Sequence, residues 1–208
     1  MTSKCARNRS LIALITAVAV WNLPGSSVNV AAAEQKPEVQ RMFQSGAYEE
    51  AVEAARDADP ASTYLAAQAL LKLNRTEQAV AEFARLRDGG QPGWQLVAES
   101  GEALAANDVG RAVDLGRKAT EADGGNPFAF YQLGLAASKA SDWGTSSSAF
   151  ARTISLKPDL AYAHYYAALV HQRQRQLPQA AEHFEAFLRL APEAPERQAV
   201  QAVMRSLK

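Results

Sequence analysis

Three histidines are the residues of this 208-residue sequence best suited to chemistry. His164 and His171 are seven residues apart, so they share one face of a helix, and His183 falls on the next helical segment. Imidazole is a common metal ligand, but the short ligand spacings that are typical of zinc sites are absent. We therefore expect these side chains to pack between helices, and we expect no metal and no other cofactor.

The other reactive side chains form no catalytic motif. The sequence has neither a phosphate-binding glycine loop nor a Gly-x-Ser-x-Gly motif, and its carboxylates are scattered along helical faces. The single cysteine, Cys5, excludes an internal disulfide and a multi-cysteine metal site. Lys and Arg number 22, as do Asp and Glu, so no basic surface for nucleic acid is expected. We infer a binding function, with an enzyme as the third alternative.

The first 33 residues have the pattern of a secretory signal peptide. Its parts are a basic start (Lys4, Arg7 and Arg9), an apolar run (Leu11 to Val20) and small residues (Ala31 to Ala33). The run is shorter than the roughly 20 residues that a membrane span needs, although an uncleaved anchor is the alternative. We expect cleavage after Ala33 and an exported chain, periplasmic or secreted, with no membrane span in its mature part.

The rest of the sequence repeats every 34 residues. Pairs at this separation include Phe150 with Phe184, Pro158 with Pro192, and Gly134 with Ala168. Small residues let helix backbones approach closely, phenylalanines fill the space between paired helices, and proline ends a helical segment. The pattern therefore predicts helix pairs, each with an apolar face that the next pair covers.

This pattern resembles the tetratricopeptide repeat, a 34-residue helix–turn–helix unit. The best match holds Phe130, Leu133-Gly134, Ser146, Phe150 and Pro158; Ser146 replaces the usual alanine. The resemblance implies an all-α fold, a right-handed superhelical solenoid of about five antiparallel helix pairs. The repeat domain would span residues 34–194, with units at about 37–59, 60–92, 93–126, 127–160 and 161–194.

A C-terminal capping helix is predicted over residues 195–208. Its apolar residues fall on one face at helical spacing, namely Ala199, Val200, Val203, Met204 and Leu207. Terminal repeats need a polar outer face for solubility. We expect this helix to seal the open end of the array.

The resemblance also implies a binding surface, because fixed positions of each first helix line the inner wall of such repeats. On this sequence those positions give nine candidate protein-binding residues: Tyr64, Trp94, Phe128, Tyr131, Leu135, Tyr162, Tyr165, Leu169 and Arg173. Partly exposed aromatics are typical of binding surfaces, so we expect a concave groove for a peptide or protein segment. The alternative is that several of these aromatics are core residues of tightly curved repeats.

The predicted function is a protein-interaction scaffold, or an assembly or chaperone-like adaptor, outside the cytoplasm. The alternative is a structural accessory subunit of an envelope enzyme or secretion complex, without its own client groove. Some tetratricopeptide repeat proteins bind the C-terminal carboxylate of a partner through Lys and Asn at two positions of the inner wall. Here those positions hold Tyr131 and Leu135, then Tyr165 and Leu169, so this binding mode is not expected.

Overall fold

This computed structural model describes residues 30–91 and 93–206. Within these residues the chain forms eleven helices joined by turns, and no strand. The helices are α1 (Val30–Ser45), α2 (Tyr48–Ala54), α3 (Pro60–Lys72), α4 (Thr76–Asp88), α5 (Trp94–Ala105), α6 (Val109–Ala122), α7 (Pro127–Lys139), α8 (Trp143–Leu156), α9 (Ala161–Arg173), α10 (Leu177–Leu190) and α11 (Arg197–Ser206). The predicted all-α solenoid is confirmed. The basic start and apolar run of the predicted signal peptide lie outside the described residues.

The first ten helices form five consecutive pairs that stack in chain order. Within a pair the two helices pack together, and the second helix of each pair packs against the first helix of the next. The first helices of neighbouring pairs also touch, from α1 and α3 through to α7 and α9. From α3 to α10 the pairs lie within the predicted units, whereas α1 begins at Val30, before the predicted start at residue 37.

A left-handed residue recurs at the turn inside each of the five pairs. It is Gly46 (φ 87°), Asn74 (φ 58°), Asn107 (φ 61°), Ser141 (φ 61°) or Arg175 (φ 60°). The next N–H then reaches back across the end of the first helix, as from Asp142 to the carbonyl of Ala137 at 2.9 Å. This is the Schellman ending of a helix. Each first helix therefore stops at an equivalent position, which fixes how its second helix folds back.

Close approach of the two helices in a pair depends on small residues opposite large ones. Gly134 faces Phe150 so closely that a Cβ on Gly134 would lie 2.7 Å from the ring. The Ser146 hydroxyl donates to the Gly134 carbonyl at 2.9 Å, which explains why a serine serves at the usual alanine position. Phe150 and Phe184 are fully buried, as the repeat pattern predicts.

The array closes on itself, because its first pair lies against its last. The Gln40 amide donates to the Asp159 carboxylate at 3.0 Å, and the Gln44 side chain accepts from the backbone N–H of Ala161. The Phe43 and Tyr162 rings lie 5.0 Å apart between centroids. These residues are well over one hundred positions apart in sequence. The main apolar core takes residues from all five pairs, and a second, small cluster lies between α5, α6 and α7.

The last helix, α11, lies within the predicted capping segment and packs against α10. Val200 is buried, and Val203 and Met204 pack partly buried against the main core. Ala199 is exposed, although the sequence places it on the apolar face, and Leu207 lies outside the described residues. Just before α11, Pro195 touches Gly46 of the first pair, so the capping segment contacts both ends of the array.

Candidate binding surface

The nine candidate binding residues divide into a buried and a partly exposed group. Four aromatics are at most 4% exposed: Tyr64, Phe128, Tyr131 and Tyr162. Half-buried side chains are Trp94, Leu135, Tyr165 and Leu169, and Arg173 is exposed. The expectation that all of these aromatics line an open groove is wrong for the first four, which belong to the core. Whether any of the nine contacts a partner stays a prediction.

Tyr64 shows why the aromatics of the inner wall are buried. Its ring lies within 6.4 Å, between centroids, of the Trp94, Phe128 and Tyr131 rings. Its hydroxyl donates to the Gln132 side-chain oxygen at 2.8 Å. The superhelix is wound so tightly that α3 and α7 meet across their inner faces. Burial raises the pKa of the Tyr64 hydroxyl well above its ordinary value, so it stays a neutral donor.

A chain of polar contacts continues from Gln132 through the core. The Gln132 amide donates to the Ser100 hydroxyl at 3.3 Å, and that hydroxyl donates to the Ala112 carbonyl at 2.7 Å. Both side chains are fully buried. Buried polar groups that find partners fix one arrangement of their helices. This chain therefore ties α3, α7, α5 and α6 in a single register.

A second polar network is centred on Tyr162 and links the two ends of the array. Tyr48 donates to the Tyr162 hydroxyl at 3.1 Å, and Tyr162 donates to the Glu196 carboxylate at 2.7 Å. Lys72 donates to the other oxygen of Glu196, also at 2.7 Å. The Lys72 ammonium lies 4.6 Å from the centre of the Tyr162 ring, close enough for a cation–π contact.

The charges of this network are balanced inside a nearly closed site. The Lys72 and Glu196 side chains are only 25% and 19% exposed. Burial alone would raise the pKa of Glu196, but the hydrogen bonds from Lys72 and Tyr162 and the Lys72 charge lower it below its ordinary value. Glu196 is therefore ionised at neutral pH. It holds α3, α9 and the capping segment together.

Apart from Trp94 on α5, the candidate residues of the inner wall that stay accessible lie on α7 and α9. We call Leu135, Tyr165 and Leu169 the inner strip; all three are half-buried, and α7 and α9 contact each other. Leu135 and Leu169 occupy equivalent positions of two repeats, and Leu169 follows Tyr165 by one helical turn. One turn further on lie the exposed Lys139 and Arg173. The inner strip is thus apolar with a basic edge.

The three histidines lie together between α9 and α10, each half-buried. The His183 ring is 5.4 Å from the His164 ring and 5.4 Å from the His171 ring, between centroids. The expectation that they pack between helices is confirmed. Among the described residues, no group of three or more His, Cys, Asp or Glu side chains is arranged to hold a metal ion.

Sequence reasoning missed the residues that close the array. Nothing in the sequence marks Glu196 as the partner of Lys72, because Glu196 lies outside the repeats. Gln40 and Gln44 likewise bond to Asp159 and Ala161, which no repeat spacing pairs with them. A repeat pattern identifies contacts between neighbouring units, and these residues act between units that are far apart in sequence.

Stacked helix pairs with this turn geometry define a helical-repeat protein whose units cover one another. The family model described as tetratricopeptide repeat matches residues 64–127 and 131–195. The chain therefore belongs to the tetratricopeptide repeat family. No curated protein sequence matches it, and none of the helices in the described residues is long and apolar enough to cross a membrane.

Solved structures with the same fold include three informative neighbours. The Arabidopsis OM64 TPR domain has a TM-score of 0.53 at 13% identity, covering 55% of this chain and 94% of its own. The first TPR of Spaghetti (RPAP3), bound to an HSP90 peptide, has a TM-score of 0.52 at 17% identity, with 55% and 89% covered. YrrB, a TPR protein with an unusual peptide-binding site, has a TM-score of 0.51 at 18% identity, with 85% and 88% covered. At these identities the likeness shows the fold alone.

Proposed function

We propose that this chain is a non-enzymatic protein-interaction scaffold, and that the inner strip takes a segment of its partner. The observation that carries the proposal is that Leu135, Tyr165 and Leu169 stay partly accessible beside an otherwise closed core. Tyrosine and leucine on adjacent helices offer rigid apolar contact area to an incoming side chain. Two of the structural neighbours are described with a peptide or a peptide-binding site, so the fold has precedent for this role.

The edge of the inner strip indicates the chemistry of the partner segment. Lys139 and Arg173 are exposed and stand one helical turn beyond Leu135 and Leu169. Each lies in the last turn of its helix, where a cation is also favoured by the helix dipole. A segment with apolar side chains and flanking acidic residues fits an apolar strip with such an edge.

The experiment is site-specific photo-crosslinking in the living cell. A photoreactive residue at Leu169 should trap a discrete protein, and the same residue at the exposed Glu185 on α10 should not. The adduct should weaken in a Leu135→Ser variant and in Arg173→Glu, provided that each keeps its helicity by circular dichroism. Crosslinks from position 185 and none from position 169 would move the binding surface away from the inner strip.

We also propose that the scaffold works outside the cytoplasm. The support is the basic start, short apolar run and small residues of the first 33 residues. N-terminal sequencing of the protein from fractionated cells should give Glu34 in the exported fraction. An intact Met1 on a protein confined to the cytoplasmic fraction would contradict export.

The second candidate function is a structural accessory subunit of a larger envelope assembly. It is favoured by the closure, which buries Tyr64, Phe128, Tyr131 and Tyr162 and leaves little of the inner wall open. Such a subunit would bind through second helices or through α11. The same crosslinking experiment separates the two candidates, because adducts at position 185 or on α11 are the result that the accessory role expects.

A further inference from the structure

The histidine cluster between α9 and α10 has the arrangement of a partly formed metal site. The Nδ1 atoms of His164 and His183 face each other at 3.2 Å. The His171 ring stacks on the His183 ring, with the two planes 10° apart. Since all three side chains are half-buried, solvent and small ions reach them.

Hydrogen bonds on the far side of two rings fix where their protons sit. The Pro158 carbonyl can only accept, so His164 carries its proton on Nε2 and donates it over 3.3 Å, leaving a lone pair on Nδ1. The Gln176 side-chain oxygen lies 2.6 Å from Nδ1 of His171 and accepts from it, which leaves a lone pair on Nε2. Metal-ligating histidines are held in this same way, with the second ring N–H donated to a carbonyl.

The spacing of the two facing nitrogens fits one metal ion. Without a metal ion, His183 donates its Nδ1 proton to the Nδ1 lone pair of His164 over 3.2 Å; if that proton moves to Nε2 of His183, two lone pairs flank the same gap. Two imidazoles bound to tetrahedral zinc at about 2.0–2.1 Å hold their nitrogens about 3.3 Å apart. An ion bound here would take the place of the shared proton while the two nitrogens keep nearly the same separation.

We propose that His164 and His183 form a binding site for a divalent transition metal ion that prefers imidazole, such as Zn²⁺. Water completes the coordination shell, because these two nitrogens are the only ligands that the described residues already place together. His171 stands beside the site as a third imidazole, stacked on His183. Two protein ligands make this an exchangeable site, and it is independent of the inner strip and of the proposed scaffold function.

The test is titration of the unsubstituted protein with Zn²⁺ alone. Calorimetry should give one equivalent bound, and ¹⁵N NMR of the imidazoles should show Nδ1 of His164 and His183 shifting while His164 keeps its Nε2 proton. Replacement of a ligand, in His164→Gln or His183→Gln, should weaken binding by roughly tenfold or more. The matched control, His171→Gln, removes a neighbouring imidazole and should weaken binding by a smaller factor.

Three results would overturn the proposal. They are the absence of Zn²⁺ binding, binding undiminished in His183→Gln, and NMR shifts confined to side chains outside the cluster. In any of these cases the three rings are a hydrogen-bonded stack that only packs α9 against α10. Because the NMR readout uses the unmodified protein, a variant that fails to fold does not decide the outcome.

Discussion

Replacing Glu196 with glutamine separates the charge of the closing network from its shape. The carboxylate accepts from Lys72 and from Tyr162, both at 2.7 Å, and the paired side chains are no more than 25% exposed. A hydrogen bond to a charged group contributes about 1.5–3 kcal/mol, whereas an exposed ion pair contributes about 0–1 kcal/mol. Glutamine keeps one acceptor, and Lys72 keeps its contact with the Tyr162 ring. We therefore expect a loss of roughly 2–3 kcal/mol in the free energy of unfolding.

The pH dependence of unfolding gives a second measure of the same interaction. The pKa of Glu196 is lowered in the folded protein, so between its folded and ordinary values the unfolded chain binds more protons. The stabilisation is thus fully present above the ordinary pKa of a glutamate, near pH 4.5, and is lost as the pH falls through the lower, folded pKa. Glu196→Gln should lose this part of the acid sensitivity.

The assay is urea unfolding followed by circular dichroism, with thermal midpoints alongside. A loss of this size lowers the midpoint of a chain of this length by roughly 4–12 °C. The matched control is Glu49→Gln, because the ion pair of Glu49 with Arg75 is about half exposed on both sides and should change stability by at most about 1 kcal/mol. Equal effects of the two substitutions, or unchanged acid sensitivity in Glu196→Gln, would refute the role assigned to this network.

Three further predictions concern the core and the cap. Phe150→Ala and Phe184→Ala should each lower the unfolding free energy by about 3–5 kcal/mol in urea titrations, because both rings are fully buried. Gly134→Ala should be destabilising by about 1–3 kcal/mol, because the new Cβ meets the Phe150 ring. Its control, Gly110→Ala, places the Cβ in open space and should be neutral or stabilising by up to about 1 kcal/mol. Thermal midpoints of the two variants that move in the same direction would contradict this geometry. Deleting residues 195–208 should give aggregates in light scattering, because it uncovers α10 and removes Glu196 together; a monomer of unchanged helicity would show that the segment is dispensable.

The repeat period predicts most of the fold, because each unit meets mainly its neighbours. The spacing of Phe150 and Phe184 indicates both the helix pairs and the burial of these rings. The closure is different in kind, since it depends on how a small rotation between units accumulates over five pairs. No local sequence pattern gives the total rotation over the five pairs. The contact between Gln40 and Asp159 does not recur with the repeat period, so the sequence does not predict it.

The residue types of the inner-wall aromatics do not predict which of them are buried and which are exposed. Tyrosine and phenylalanine at these positions suit an open groove and a tight core equally well. Tyr131 and Tyr165 hold the same position in successive repeats, yet the first is buried and the second is half exposed. A Tyr131→Ala variant consequently reports on folding, whereas the residues of the inner strip are suited to a test of binding.

The contacts between the two ends alter how this chain should unfold. In an open stack of repeats, each outermost unit has only one neighbour and can detach while the rest of the array stays folded. Here α1 is held by residues more than one hundred positions away, so freeing an end breaks contacts at both ends at once. Amide hydrogens of the first and last pairs should therefore exchange with solvent at similar, slow rates, and folding should be slower than local helix contacts alone would allow, since a long loop must close before the ends meet.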